Sequence, residues 1–283
     1  MKVDLTPSPC PSYHSPSMSD PQPRIHPTAC IDPGAKLAGD VQVGPYSIIG
    51  PGVSIGPGTQ IKSHAVIEQH TTVGSNGIIS HHATVGVPPQ DFTYAGEPTR
   101  LVIGDEVRIG EYANISRGTI KGGGQTTIGN RVYLMAYSHV GHDSTVENDV
   151  ILTNGTALAG HVLVEEKAYL SANAAIHQFC RVGTLAMISG SSIIIQDVAP
   201  YTKIVGLPGK LVGLNLVGLR RAGLDRHEIR TLKQAYTKIF DRETPLENAL
   251  EQARAISEGN SYVKRLIEFF ENSQRGVIRT TRK

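Results

Sequence analysis

The sequence predicts a mostly β chain, a parallel β-helix of hexapeptide repeats followed by a small C-terminal α-helical domain. Three observations predict it. An aliphatic residue recurs at every sixth position through most of the first 200 residues, aromatic residues make up only 5% with no Trp, and helix caps become readable after residue 200. Period six fits neither an α-helix nor a hairpin array. It fits a solenoid in which three hexads close one triangular coil, each sending an aliphatic side chain inward.

The elements follow in order. Residues 1–24 are Pro/Ser-rich and read as a disordered extension. They hold no apolar stretch of the secretory type. Met18 is a candidate biological start, which would leave residues 1–17 untranslated. Residues 25–200 form the solenoid. The series runs Ile25, Ile31, Leu37, Val43 and onward without a miss to Val85, resumes at Ile103, Ile109 and Ile115, then shifts phase by one residue and runs from Ile128 to Ile194, 26 hexads in all. Four positions after each aliphatic sits a small or β-branched residue, as at Val41, Ser47 and Ala65. Coils stacked at strand spacing, about 4.8 Å, give a prism about 40 Å long. Two stretches interrupt it. Residues 86–102 replace two hexads with a Pro/Gly-rich loop, and residues 121–127 form a short flexible one; loops on a rigid solenoid are natural site material. Residues 201–283 are a lead-out segment and an α-helical domain placed to seal the prism. Asp225-x-x-Glu228 and Thr244-Pro245-x-Glu247 read as capping boxes, and Ser261 as a third N-cap.

Composition narrows the function. No window is long and apolar enough for a membrane span. Three widely spaced cysteines, Cys10, Cys30 and Cys180, read as reduced thiols of a cytoplasmic protein. No nucleic-acid partner is expected. Residues 201–283 carry 16 Lys and Arg against 9 Asp and Glu, a basic region suited to an acidic or phosphate-bearing partner.

The period also places the histidines. Residues 18 apart stack on successive coils, so His142, Gly160 and Gln178 form one column, two positions past the inward Val140, Leu158 and Ile176. The column faces out, and His139, His161 and His177 flank it. Such a strip could bind a metal, but the spacing is wrong for a β-helical metal site and no acid or Cys completes a set. A His beside a glycine amide points instead to acyl transfer. The imidazole takes a proton from a hydroxyl and the amide stabilises an oxyanion.

At these residues the chain resembles the UDP-N-acetylglucosamine O-acyltransferases, which open lipid A biosynthesis. The strings that carry the resemblance include "IHPTACIDPGAKL", "PQDFTYAGEPTR", "RGTIKGGGQT", "HVGHD", "LAGHV", "HQFCRVG" and "GLRRAG", spread over residues 25–280. The resemblance implies a left-handed β-helix. It implies transfer of a 3-hydroxyacyl chain from acyl carrier protein to the sugar 3-hydroxyl, with no cofactor or metal. It makes His142 the general base and Gly160 the oxyanion donor. Asp91 and His139 would hold the sugar, and His161, His177 and Gln178 the substrates. Asn215 and Arg221 would reach the nucleotide. It further implies a homotrimer with sites between subunits, and Gly190 at the end of the acyl groove.

Four positions depart from the family pattern. Lys is usual where this chain has Thr93, His where it has Ser116, and Glu and a second Arg where it has Val217 and Ala222. These changes leave a 3-amino UDP-sugar, acylated on nitrogen, as the alternative acceptor. Acetyl transfer to another nucleotide sugar and a non-enzymatic scaffold are the readings from other classes.

Overall fold

The computed structural model describes residues 22–256 and 259–279. Most of the expected disordered extension, residues 1–21 with Cys10 and the Met18 start, lies outside the described residues. Arg24, assigned to that extension, instead opens the first strand, Arg24–Ile25.

From Arg24 to Ile194 the chain forms 26 short strands, each carrying one aliphatic residue of the series. Strands three apart pair in parallel at an offset of 18 residues, Arg24 on Gln42 and Ile25 on Val43. They sort into three faces of a left-handed β-helix. The first face begins with Arg24–Ile25, the second with Cys30–Ile31 and the third with Lys36–Leu37. From Val43 to Ile194 every series residue is at most 3% exposed. Burying such a side chain stabilises the fold by about 1.5–3 kcal/mol. The first coil is an open end, with Ile25 43% exposed. Ile109 lies mid-prism, buried among neighbouring coils. Ile109→Ala should cost about 2–5 kcal/mol by leaving a cavity, read as a lower urea midpoint.

The small residues of each hexad also point inward, and their hydroxyls bond to the next coil. Ser47 donates to Lys62 O at 2.7 Å and Thr59 to Gly74 O at 2.8 Å. Cys180 takes the same kind of position, and burial pushes its thiol up to about 11. Cys180 and Cys30 are both free thiols.

Aromatic rings sit outside the narrow interior of the prism. On the edge between the first and second faces Tyr46, His64, His82, Tyr112 and Tyr137 stack with centroids 4.8 to 5.1 Å apart. They occupy the third residue after each inward aliphatic, where the corner turn demands a left-handed backbone. Asp143 (φ 60°) and His161 (φ 59°) hold the same turn position on the next edge.

The interruptions differ from the sequence reading. No hexad is replaced. Thr84–Val87 lies on the second face and Arg100–Ile103, the next strand, on the third, so the first loop is an insertion at one corner. The pairing offset there rises from 18 to 30, Thr84 on Asn114. The second loop inserts at the same corner one coil later, and Asn114 pairs with His139. The first loop is shorter than read from the sequence, and the second lies earlier in the chain, between Ser116 and Gln125. Strands extend to Val87 and resume at Arg100, while the second contains a 3₁₀ turn, Ile120–Gly122, before a strand starts at Gln125.

The lead-out segment contains a hairpin that the sequence reading missed, Thr202–Val205 with Lys210–Leu214, which ends the first face. Four helices follow among the described residues: α1 (Leu216–Arg221), α2 (Arg226–Ile239), α3 (Leu246–Ile256) and α4 (Ser261–Glu271). Asp225 and Glu228 form the expected reciprocal capping box. The other two caps differ. Thr244 spends its hydroxyl on Asp241. Asn260 caps α4 by accepting from Tyr262 N and Val263 N, so Ser261 is the first helical residue. Arg265 of α4 donates to Thr184 Oγ1, tying this cap to the last coils.

Candidate active site

The hexad register builds the site. His142, Gly160 and Gln178 each follow a second-face strand by two positions, so all three lie on the edge between the second and third faces. Both inserted loops leave the prism at this same edge.

His142 Nδ1 lies 2.7 Å from Asp143 Oδ2. The His142 side chain is 16% exposed and that of Asp143 is 0%. Asp143 is the residue that the sequence reading left without a role, although it stood beside His142. Its corner turn aims the carboxylate inward along the edge. There Thr119 donates its N–H to Oδ1 and its hydroxyl to Oδ2, each at 2.7 Å. The Asp143 N–H donates in turn to Thr126 Oγ1 at 2.8 Å. A fixed carboxylate on Nδ1 selects the tautomer with its proton there and leaves the Nε2 lone pair free.

Gly160 faces that nitrogen. A Cβ at 160 would lie 2.7 Å from His142 Cε1 and 2.8 Å from Nε2, so only glycine leaves the ring its space. Among the described residues none accepts a hydrogen bond from the Gly160 N–H. A base lone pair and an uncommitted amide therefore share one small opening.

The flanking residues fall close by. The His161 ring meets that of His142 edge-on at 5.1 Å and stacks on Phe179 at 4.5 Å. His177 and Gln178 are exposed one coil later. His139 lies on the second face, its Nδ1 2.9 Å from Asn114 Oδ1. Burial, and to a smaller degree the charge of His142, holds His139 below the ordinary imidazole value. It protonates more readily in the unfolded chain, so its contribution to stability is full above about pH 6.5 and is lost as pH falls below that value. The thermal midpoint of His139→Gln should therefore drop less between pH 7 and pH 5 than that of the parent.

The sequence reading is that no acid completes a metal set with the histidines. The fold corrects this, since Asp143 Oδ2 is also 3.6 Å from His161 Nε2, and the three side chains could surround an ion. Both Asp143 oxygens are already engaged by Thr119 and His142, however. A metal would have to displace those bonds, which makes the cluster a poor ligand set.

Asp91 stands on the first loop and accepts from Thr93 N at 2.8 Å and Thr93 Oγ1 at 3.0 Å. Those bonds chiefly, and then the charges of Lys121 and His142, hold its carboxyl below the usual range. The loop is anchored by the buried Arg117, which donates to Gly86 O at 2.8 Å and to the Tyr94 hydroxyl.

Three of the expected site residues are elsewhere. Asn215 and Arg221 line an open groove of about 790 Å³ beside Tyr169, Met187 and Lys203, outward residues of the first face. Val217 and Ala222 line it too. Asn215 also has a structural task, capping α1 through Gly218 N and donating to Leu185 O at 2.9 Å. Gly190 follows a first-face strand, on the edge between the first and second faces. A Cβ there would come 3.2 Å from Ala172 O. Ser116, the fourth departure from the family pattern, is fully buried beneath the site edge, its hydroxyl without a partner among the described residues.

Residues 197–278 match the family model described as "Udp N-acetylglucosamine O-acyltransferase; Domain 2", and residues 22–57 match that of the bacterial transferase hexapeptide. The chain is 46% identical over 194 residues to the acyl-[acyl-carrier-protein]–UDP-N-acetylglucosamine O-acyltransferase of Alkalilimnicola ehrlichii, covering 69% of this chain and 75% of that one. It is 44% identical over 191 residues to the enzyme of the same name from Anaeromyxobacter, with 68% and 74% covered. Among solved structures it is similar to the UDP-N-acetylglucosamine O-acyltransferase of Moraxella catarrhalis, at 38% identity and a TM-score of 0.88, covering 90% of this chain and 99% of that one.

Proposed function

The chain belongs to the UDP-N-acetylglucosamine O-acyltransferase family, and on that premise we propose how its own residues carry out the transfer. It is an acyltransferase of lipid A biosynthesis that moves a 3-hydroxyacyl chain from acyl carrier protein to the 3-hydroxyl of UDP-N-acetylglucosamine. His142 Nε2 takes the proton of that hydroxyl as the oxygen attacks the thioester carbon. The Gly160 N–H receives the oxyanion, and buried Asp143 stabilises the imidazolium that forms. As the intermediate collapses, the C–S bond breaks and the imidazolium returns its proton to the departing carrier thiolate. The ester stays on the sugar. Asp91 and His139 hold the acceptor, while His161, His177 and Gln178 line the approach of both substrates.

The observation that carries this reading is the alignment of the Nε2 lone pair of His142, fixed by Asp143, with the free amide of Gly160. Its test is mass spectrometry of a reaction with 3-hydroxyacyl carrier protein and UDP-N-acetylglucosamine. One acyl group is expected on the sugar, released by mild base as an ester. Turnover only with a 3-amino UDP-sugar, giving a base-stable amide, would contradict it.

The split of the site carries a second part of the proposal, a homotrimer. His142 lies on the edge between the second and third faces, whereas Asn215, Arg221 and Gly190 belong to the first face and its margins. A threefold ring in which the first face of one copy meets the catalytic edge of the next would unite them, since a head-to-tail contact that closes makes a ring. An outward stripe of Tyr133, Ile151, Tyr169 and Met187 on the first face suits such a contact. The basic C-terminal region, which continues from that face, suits an acidic carrier and acts chiefly on association rate. A cytoplasmic location fits both substrates; among the described residues no helix is long and apolar enough to cross a membrane.

Gly190 then ends the acyl groove. Each buried methylene adds about 0.8 kcal/mol, and the family resemblance implies a donor of about 14 carbons for a groove left open at this position. Gly190→Met should move the optimum of kcat/KM toward donors of 10 or 12 carbons, since overpacking costs roughly 1–3 kcal/mol. An unchanged length profile would place the end of the groove elsewhere.

A further inference from the structure

The second loop brings a cation to the acceptor side of the site. Thr119 is clamped to Asp143 by two hydrogen bonds, and a Cβ at Gly122 would overlap the same carboxylate. The intervening turn is thereby fixed to the catalytic pair. From it Lys121 reaches across to the first loop, where its Nζ donates to Thr93 Oγ1 at 3.0 Å. Thr93 donates to Asp91, so the ammonium is held next to the proposed sugar carboxylate but one residue away from it. Among the described residues no carboxylate lies within ion-pair distance of Lys121, and the bond to Thr93 takes only one of the three ammonium N–H donors. An ammonium parked on a neutral hydroxyl, at a fixed place, with two donors to spare, is suited to an incoming anion.

The sugar bears its diphosphate on the carbon adjoining the N-acetylated one, within reach of a group beside a sugar-binding Asp. We propose that Lys121 binds the diphosphate of the nucleotide sugar, the cation delivered from the second loop rather than the first. This rests on the acceptor being a UDP-sugar, as above.

The test uses Lys121→Gln, Lys121→Arg and the double variant Thr93→Lys/Lys121→Gln. Loss of a charge-assisted bond to phosphate should raise KM for UDP-N-acetylglucosamine by roughly 10- to 100-fold, with a matching rise in its calorimetric Kd, while KM for the acyl carrier stays put. Lys121→Arg should keep most of the affinity. Thr93→Lys should rescue the Gln variant, because an ammonium from position 93 arrives at the same place. Wild-type protein that turns over while Lys121→Gln binds the nucleotide sugar normally would overturn this inference alone. A KM rise confined to the acyl carrier would overturn it too, assigning Lys121 to the donor. Wild-type protein that does not acylate the sugar would instead count against the functional reading beneath it.

Discussion

His142→Ala should lower kcat/KM by roughly 100- to 10,000-fold or more, the range for loss of a general base, with little change in thermal midpoint. The side chain lies on the outer edge of the prism, so its removal opens no interior cavity. It does leave Asp143 with one bond fewer, but Thr119 still satisfies both carboxylate oxygens. Stability and activity therefore separate. A variant that turned over normally would remove His142 from the chemistry, and one that unfolded would make the residue structural.

Gly160→Ala should be nearly as damaging by a different route. Its Cβ would arrive 2.7 Å from His142 Cε1, tighter than contact allows, so the ring must move. A displacement of about 1 Å at a reacting group can cost on the order of 100-fold, and the methyl also crowds the amide meant for the oxyanion. Gly160 has no left-handed φ, so alanine is admissible to its backbone. Circular dichroism should be unchanged while kcat collapses. Retained kcat with a shifted KM would show that the amide is not the oxyanion donor.

The prism was legible because its period is an arithmetic consequence of the fold. Each aliphatic from Val43 to Ile194 is inward and buried, and the 18-residue offset alone stacked Gly160 beside His142. The loops escaped the same arithmetic. An inserted corner and a replaced hexad leave the same spacing from Val85 to Ile103, and only strand pairing tells them apart. Asp143 was visible as a neighbour in sequence. Its importance depends on Thr119, 24 residues earlier, which an insertion of unguessable length brings against it. Lys121 was hidden for the same reason. Ser261 reads as a cap because Ser commonly is one, while Asn260 beside it is equally suited and holds the position. Asn215 and Arg221 carried no signal of their own. They came from the family resemblance, and the fold put them on a different face from His142.

That separation makes the central claim testable in one measurement. If the catalytic edge of one copy works with the first-face groove of the next, two inactive chains can repair each other. Chains carrying His142→Ala and chains carrying Asn215→Ala/Arg221→Ala, coexpressed under different tags and purified through both, are assayed as mixed oligomers. Purification through both tags leaves only mixed trimers, and in each of these one site in three has both halves intact, so activity should return to about a third of the wild-type level. Activity no greater than the mean of the two parents would contradict the shared site, and with it the assembly proposed here.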